Sequence, residues 1–116
     1  GLRILVVDDN IDAAEMLAML LDLLGHQTHL AHTGPAALDA TADFQPEVIF
    51  LDIGLPGLSG YEVARRLRAD GVTARARLVA LTGFDGEDEA ERARAAGFDR
   101  HVVKPIDPFT LESLLR

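Results

Sequence analysis

The chain has 116 residues, 48% of them hydrophobic and 26% charged, with a formal net charge of −8. That length suits one domain that buries a core without metal or disulfide. The lack of cysteine excludes thiolate metal sites and thiol redox chemistry, and the acidic balance argues against a basic grip on nucleic acid.

Ile4-Leu5-Val6-Val7 is an unbroken apolar run that ends in Asp8 and Asp9. Asn10 is a suitable helix cap, and Ala13, Ala14, Leu17, Leu20, Leu21 and Leu24 follow at helical spacing until Gly25 stops them. This stretch is broken by Glu15 and Asp22 and is too short and too charged to span a bilayer, so no membrane contact is expected of it. Gln27 to His32 is more polar and reads as a weaker strand at a sheet edge. Thr33-Gly34-Pro35 opens a second helix. Val48-Ile49-Phe50-Leu51 is a second apolar run, ending in Asp52. Tyr61 to Ala69 carries Val63 and Leu67 one turn apart, with Arg65, Arg66 and Arg68 as a solvated face. Leu78-Val79-Ala80-Leu81 ends in Thr82. Glu87 to Ala96 is acidic first and arginine-bearing later, as the helix dipole favours, and Gly97 ends it. His101-Val102-Val103 ends in Lys104, and Asp107-Pro108 opens a last helix to Leu115. The apolar runs read as strands covered on both faces. Phe84, Phe98 and Phe109 read as core residues.

Strand and helix thus alternate five times, which predicts an α/β layered fold around a parallel sheet. Right-handed crossovers at this length point to the flavodoxin-like, doubly wound order 2-1-3-4-5 with helices on both faces. In a parallel sheet all strand carboxyl ends share one edge, so Asp8, Asp9, Asp52, Thr82 and Lys104 are expected at one site. The first and third strands are neighbours in that order, which places three carboxylates together. Such a cluster repels itself unless a cation compensates. Oxygen ligands without His or Cys select a hard ion, and Mg²⁺ takes one or two carboxylates while keeping several waters. Asp9 and Asp52 are expected to bind it directly and Asp8 through water, with the Gly54 carbonyl as a further oxygen. Lys104 supplies a second positive charge on the opposite side. A carboxylate beside Mg²⁺, a lysine and a hydroxyl can accept a phosphoryl group, and Thr82 can then donate to that group and bias a two-state loop. His26, His29 and His32 lie three apart, a spacing that builds no metal site on a strand.

From Ile4 to Leu115 the chain resembles the receiver domain of response regulators in two-component signalling. The matching pieces are Leu5-Val6-Val7-Asp8-Asp9-Asn10, then Leu51-Asp52-Ile53-Gly54-Leu55-Pro56-Gly57-Leu58-Ser59-Gly60-Tyr61-Glu62. Ala80-Leu81-Thr82-Gly83 and Gly97-Phe98-Asp99, leading to Val103-Lys104-Pro105, complete them. The resemblance implies that Asp52 is the phosphoacceptor, that Asp8 and Asp9 hold Mg²⁺, that Thr82 is the switch hydroxyl and that Lys104 contacts the phosphoryl group. It also implies a cis peptide between Lys104 and Pro105, a cytoplasmic setting, and a histidine kinase or histidine phosphotransfer domain as partner. Receivers commonly carry Tyr or Phe three residues before the lysine; here His101 holds that switch position. The run Gly97 to Asp107 resembles receivers at the C-terminus of hybrid sensor kinases, and an opening at Gly1 without Met suits a domain, residues 1–116, cut from a longer protein.

Three rivals lack parts. A haloacid-dehalogenase-like phosphatase needs a second Asp two residues after Asp52 as general acid, and Gly54 stands there. A nucleotide-binding module needs a glycine-rich phosphate cradle after Val7, and none follows. A non-phosphorylated pseudo-receiver would have no need to keep Asp8, Asp9, Asp52, Thr82 and Lys104 together.

Overall fold

A computed structural model of the chain describes residues 1–71, 75–83 and 86–116. The strands are β1 (Arg3–Val7), β2 (Gln27–Ala31), β3 (Val48–Asp52), β4 (Arg77–Thr82) and β5 (Arg100–Val103). They alternate with helices α1 (Ile11–Leu23), α2 (Gly34–Phe44), α3 (Gly60–Ala69), α4 (Glu87–Ala96) and α5 (Pro108–Leu114). The five strands form one sheet in the order β2-β1-β3-β4-β5, every neighbouring pair parallel. This is the flavodoxin-like order expected from the alternation.

Because side chains alternate along a strand, each central strand feeds two cores. Ile4, Val6, Val48, Phe50, Val79 and Leu81 face Ala14, Leu17 and Leu21 of α1 and Leu111 and Leu114 of α5. Leu5, Val7, Ile49, Leu51, Leu78 and Ala80 face Val63 and Leu67 of α3 and Ala93 and Ala96 of α4. Every residue of β3 is buried, which is why its sequence is apolar without alternation until Asp52. Burial of each large aliphatic or aromatic chain here contributes about 1.5–3 kcal/mol. Among the described residues, no helix is long and apolar enough to cross a membrane.

The helix starts have local causes. Asn10 Oδ1 accepts from Ala13 N at 3.0 Å and Thr33 Oγ1 from Ala36 N at 3.1 Å. Asp107 Oδ1 accepts from Thr110 N at 2.9 Å. Helix α3 starts at Gly60, one residue before the expected Tyr61, because Ser59 Oγ caps it by accepting from Glu62 N at 3.3 Å. Two glycines in the connection from β3 are required by geometry. Gly57 sits at φ +76°, and a Cβ on Gly60 would lie 2.4 Å from the Asp52 carbonyl oxygen.

Three expectations need correction. His101-Val102-Val103 is an edge strand, half exposed rather than covered on both faces, because β5 has only β4 as a neighbour. Phe109 is not core: it is 89% exposed at the start of α5, whose buried face consists of Leu111 and Leu114. Phe98 is buried as expected, and Phe84 lies outside the described residues. Arg68 leaves the solvated face of α3. Its guanidinium donates to the carbonyls of Gly97 at 2.8 Å and Ala76 at 2.6 Å and to Asp99 Oδ2 at 2.8 Å. Arg65 and Arg66 do face solvent.

Candidate phosphoacceptor and cation site

The carboxyl-end rim of the sheet gathers the polar residues that end the apolar runs. Asp52 is the last residue of β3, and Asp8 and Asp9 follow β1 directly. Since β1 and β3 pair in register, Val7 against Leu51, the acids that follow are neighbours. Asp8, Asp9 and Asp52 each offer a carboxylate oxygen, and the three oxygens lie within 4.8 Å of one another. Asp8 and Asp52 are buried, 2% and 6% exposed, while Asp9 is exposed.

Two of these side chains are held firmly. Asp8 Oδ1 accepts from Asn10 N at 3.0 Å, and Asp52 Oδ1 accepts from Gly54 N at 3.0 Å. Lys104 follows β5 at the other side of β4, and its side chain reaches across to both acids. Nζ is 3.3 Å from Asp8 Oδ2 and 3.3 Å from Asp52 Oδ2. The ammonium therefore bridges the two carboxylates, because the long lysine stem spans the β4 tip. Burial pulls the Lys104 pKa down, but the charges of Asp52 and Asp8 outweigh it and hold the group above its ordinary value. The Lys104–Pro105 peptide bond is cis.

Thr82 ends β4 and is buried, with its hydroxyl donating over a long 3.4 Å to the Val102 carbonyl of β5. His101 pairs with Ala80 across the same two strands and is half-buried. The other histidines stay apart. His26 Nδ1 accepts from Leu2 N at 3.0 Å, the His29 ring packs against Phe44, and His32 Nδ1 lies 2.9 Å from the Asp8 carbonyl oxygen. No spacing rule in the sequence signalled that last contact, since it joins residues 24 positions apart.

The donor set fits a hard divalent cation. It is all oxygen, and opposite ligands of Mg²⁺ stand about 4.2 Å apart at bond lengths near 2.1 Å. Oxygens within 4.8 Å of one another need little movement to meet that spacing, directly or through a water.

A family model described as the response regulator receiver domain matches residues 4–116. The chain belongs to the response regulator receiver domain family. The virulence sensor protein BvgS of Bordetella pertussis is 42% identical over 112 residues, covering 91% of this chain and 9% of that protein. The phosphate regulon transcriptional regulatory protein PhoB of Pseudomonas aeruginosa is 35% identical over 116 residues, covering all of this chain and 51% of that protein. The chain thus spans about half, or far less, of the length of these relatives. Among solved structures, the receiver domain of the sensor histidine kinase PA1611 from Pseudomonas aeruginosa superposes with a TM-score of 0.90 at 29% identity, covering 99% of this chain and 94% of that one. That receiver carries a magnesium ion coordinated in its active site cleft.

Proposed function

We propose that this receiver takes a phosphoryl group onto Asp52 from the phosphohistidine of a histidine kinase or histidine phosphotransfer domain, in a Mg²⁺-dependent reaction that switches its conformation. The observation that carries the reading is the placement of Asp52: a buried carboxylate with an ammonium at 3.3 Å and two further acids within 4.8 Å. An Asp52 Oδ atom attacks phosphorus, the P–N bond breaks, and the imidazole nitrogen leaves with the bonding pair. Asp52 needs no general base, because it attacks as the carboxylate. Lys104 follows the transferring oxygens as their charge grows. Asp9, Asp52 and the Gly54 carbonyl would hold Mg²⁺ directly, and its charge would offset the rest of that on the oxygens. Asp8 would act through water, since Mg²⁺ takes only one or two carboxylates directly. The magnesium in the PA1611 receiver supports the choice of ion.

Thr82 then rotates off the Val102 carbonyl and donates to the phosphoryl group. Its former bond is long, so the exchange costs little. His101, paired with Ala80 on the same two strands, stands in place of the usual aromatic switch residue and joins the switch with Thr82. The phosphatase alternative loses its general acid, because Gly54 offers only its amide N–H to Asp52. A place in the cytoplasmic part of a sensor kinase agrees with BvgS and PA1611 among the similar proteins, and a response regulator agrees with PhoB.

The test is incubation with Mg²⁺ and a small phosphodonor such as acetyl phosphate, read by intact mass. One phosphoryl group per chain is expected, with none in Asp52→Asn or in excess chelator. Full labelling of Asp52→Asn would refute the assignment.

A further inference from the structure

The three acids of the rim are not equally restrained. Asp8 is tied by Asn10 N and Lys104, and Asp52 by Gly54 N and Lys104. Among the described residues, no hydrogen bond or ion pair holds the carboxylate of Asp9, which is exposed. Its place in the cluster depends on the backbone that carries it. That backbone is anchored at Asp8 on both sides. Asp8 N donates to the Ala31 carbonyl at 3.1 Å, and the Asp8 carbonyl lies 2.9 Å from His32 Nδ1. A carbonyl only accepts, so Nδ1 carries the proton and donates. The Asp8 carbonyl and the Asp9 nitrogen belong to one planar peptide unit. Fixing that oxygen fixes the plane from which the Asp9 side chain departs.

We propose that His32, resting on the cation site argued above, is a positioning residue for it: the Nδ1–H bond to the Asp8 carbonyl holds the Asp8–Asp9 peptide so that the Asp9 carboxylate faces Asp52. His32 touches no reacting atom and acts only through Asp9. The residue lies just past the end of β2, so the edge strand contributes to the rim by a side chain that reaches the backbone of its neighbour.

His32→Leu keeps the bulk of the ring and removes the donor; His32→Asn keeps an amide N–H close to the place of Nδ1. A lost hydrogen bond of about 0.5–1.5 kcal/mol corresponds to a roughly 2- to 13-fold weaker Mg²⁺ affinity. Calorimetric titration with Mg²⁺ alone is expected to show that loss in His32→Leu and a Kd within about twofold of the parent in His32→Asn. The Mg²⁺ concentration for half-maximal phosphoryl labelling shifts in step, while the labelling rate at saturating Mg²⁺ stays unchanged. Should His32→Leu fail to fold, His32→Phe carries the same expectation, because it keeps a ring and has no donor. Unaltered Mg²⁺ affinity in the folded variant without a donor, or an Asn variant as weak as that one, would overturn the inference. If the parent protein itself takes up no Mg²⁺, the cation reading of the site fails first and this one falls with it.

Discussion

Lys104→Met removes the ammonium while keeping most of the stem, and it tests the electrostatics of the rim directly. The ammonium stands 3.3 Å from one oxygen of Asp8 and 3.3 Å from one of Asp52. At an effective dielectric constant near 20 each contact represents about 5 kcal/mol of gross attraction. The acids themselves, with oxygens within 4.8 Å, repel by about 3.5 kcal/mol on the same scale. Desolvation cancels much of the attraction, and a lysine side chain 32% exposed is partly screened. Breaking such a pair while leaving the acids buried then costs about 2–3 kcal/mol. At about 2.1 cal/mol/K per residue of unfolding entropy, a 116-residue chain loses roughly 8–12 °C of melting temperature. Thermal melts in chelator near neutral pH read this. Added Mg²⁺ is expected to raise the variant more than the parent, because the cation replaces the lost charge. The Lys104 pKa is raised in the fold, so its contribution is present below the unfolded value of about 10.4 and lost as pH rises through the folded one. The gap between parent and variant therefore closes at high pH. A variant that melts within about 2 °C of the parent in chelator would show that the bridge contributes nothing.

Two further outcomes concern the frame around the site. Arg68→Ala removes the hydrogen bonds to the carbonyls of Gly97 and Ala76 and to Asp99, and is expected to lose about 2–3 kcal/mol in urea denaturation. Arg68→Lys recovers little of this, since one ammonium cannot reach all three acceptors; full recovery would show that charge alone matters. Tyr61 is buried and donates to Glu89 Oε1 at 2.7 Å, and these two effects push its pKa up to about 12. As the single tyrosine in a chain without tryptophan, it can be followed by tyrosinate absorbance. Glu89→Gln is expected to lower that midpoint. The stabilisation is present below the ordinary tyrosine value and disappears as pH rises through about 12; a midpoint near 10 in the parent would contradict the buried contact.

Much of this was legible in the residues. Ile4 to Val7, Val48 to Leu51 and Leu78 to Leu81 are unbroken apolar runs because helices cover both faces of those strands, so burial wrote itself directly into composition. The polar residues that end the runs needed only the parallel rule to be brought to one rim, which is why Asp8, Asp9, Asp52, Thr82 and Lys104 could be named in advance. Other features depended on partners far away in the chain. Phe109 looked like core, but α5 buries Leu111 and Leu114 and turns the ring to solvent. Arg68 looked like a solvated charge until the Gly97 turn and Asp99 came within reach of its guanidinium. The bridging place of Lys104 and the bond from His32 to Asp8 are set by how far a side chain extends across a strand tip. Local sequence specifies which atoms a strand end carries; only the packed sheet decides which of them meet, because those distances arise from the register and twist of strands that are distant in sequence.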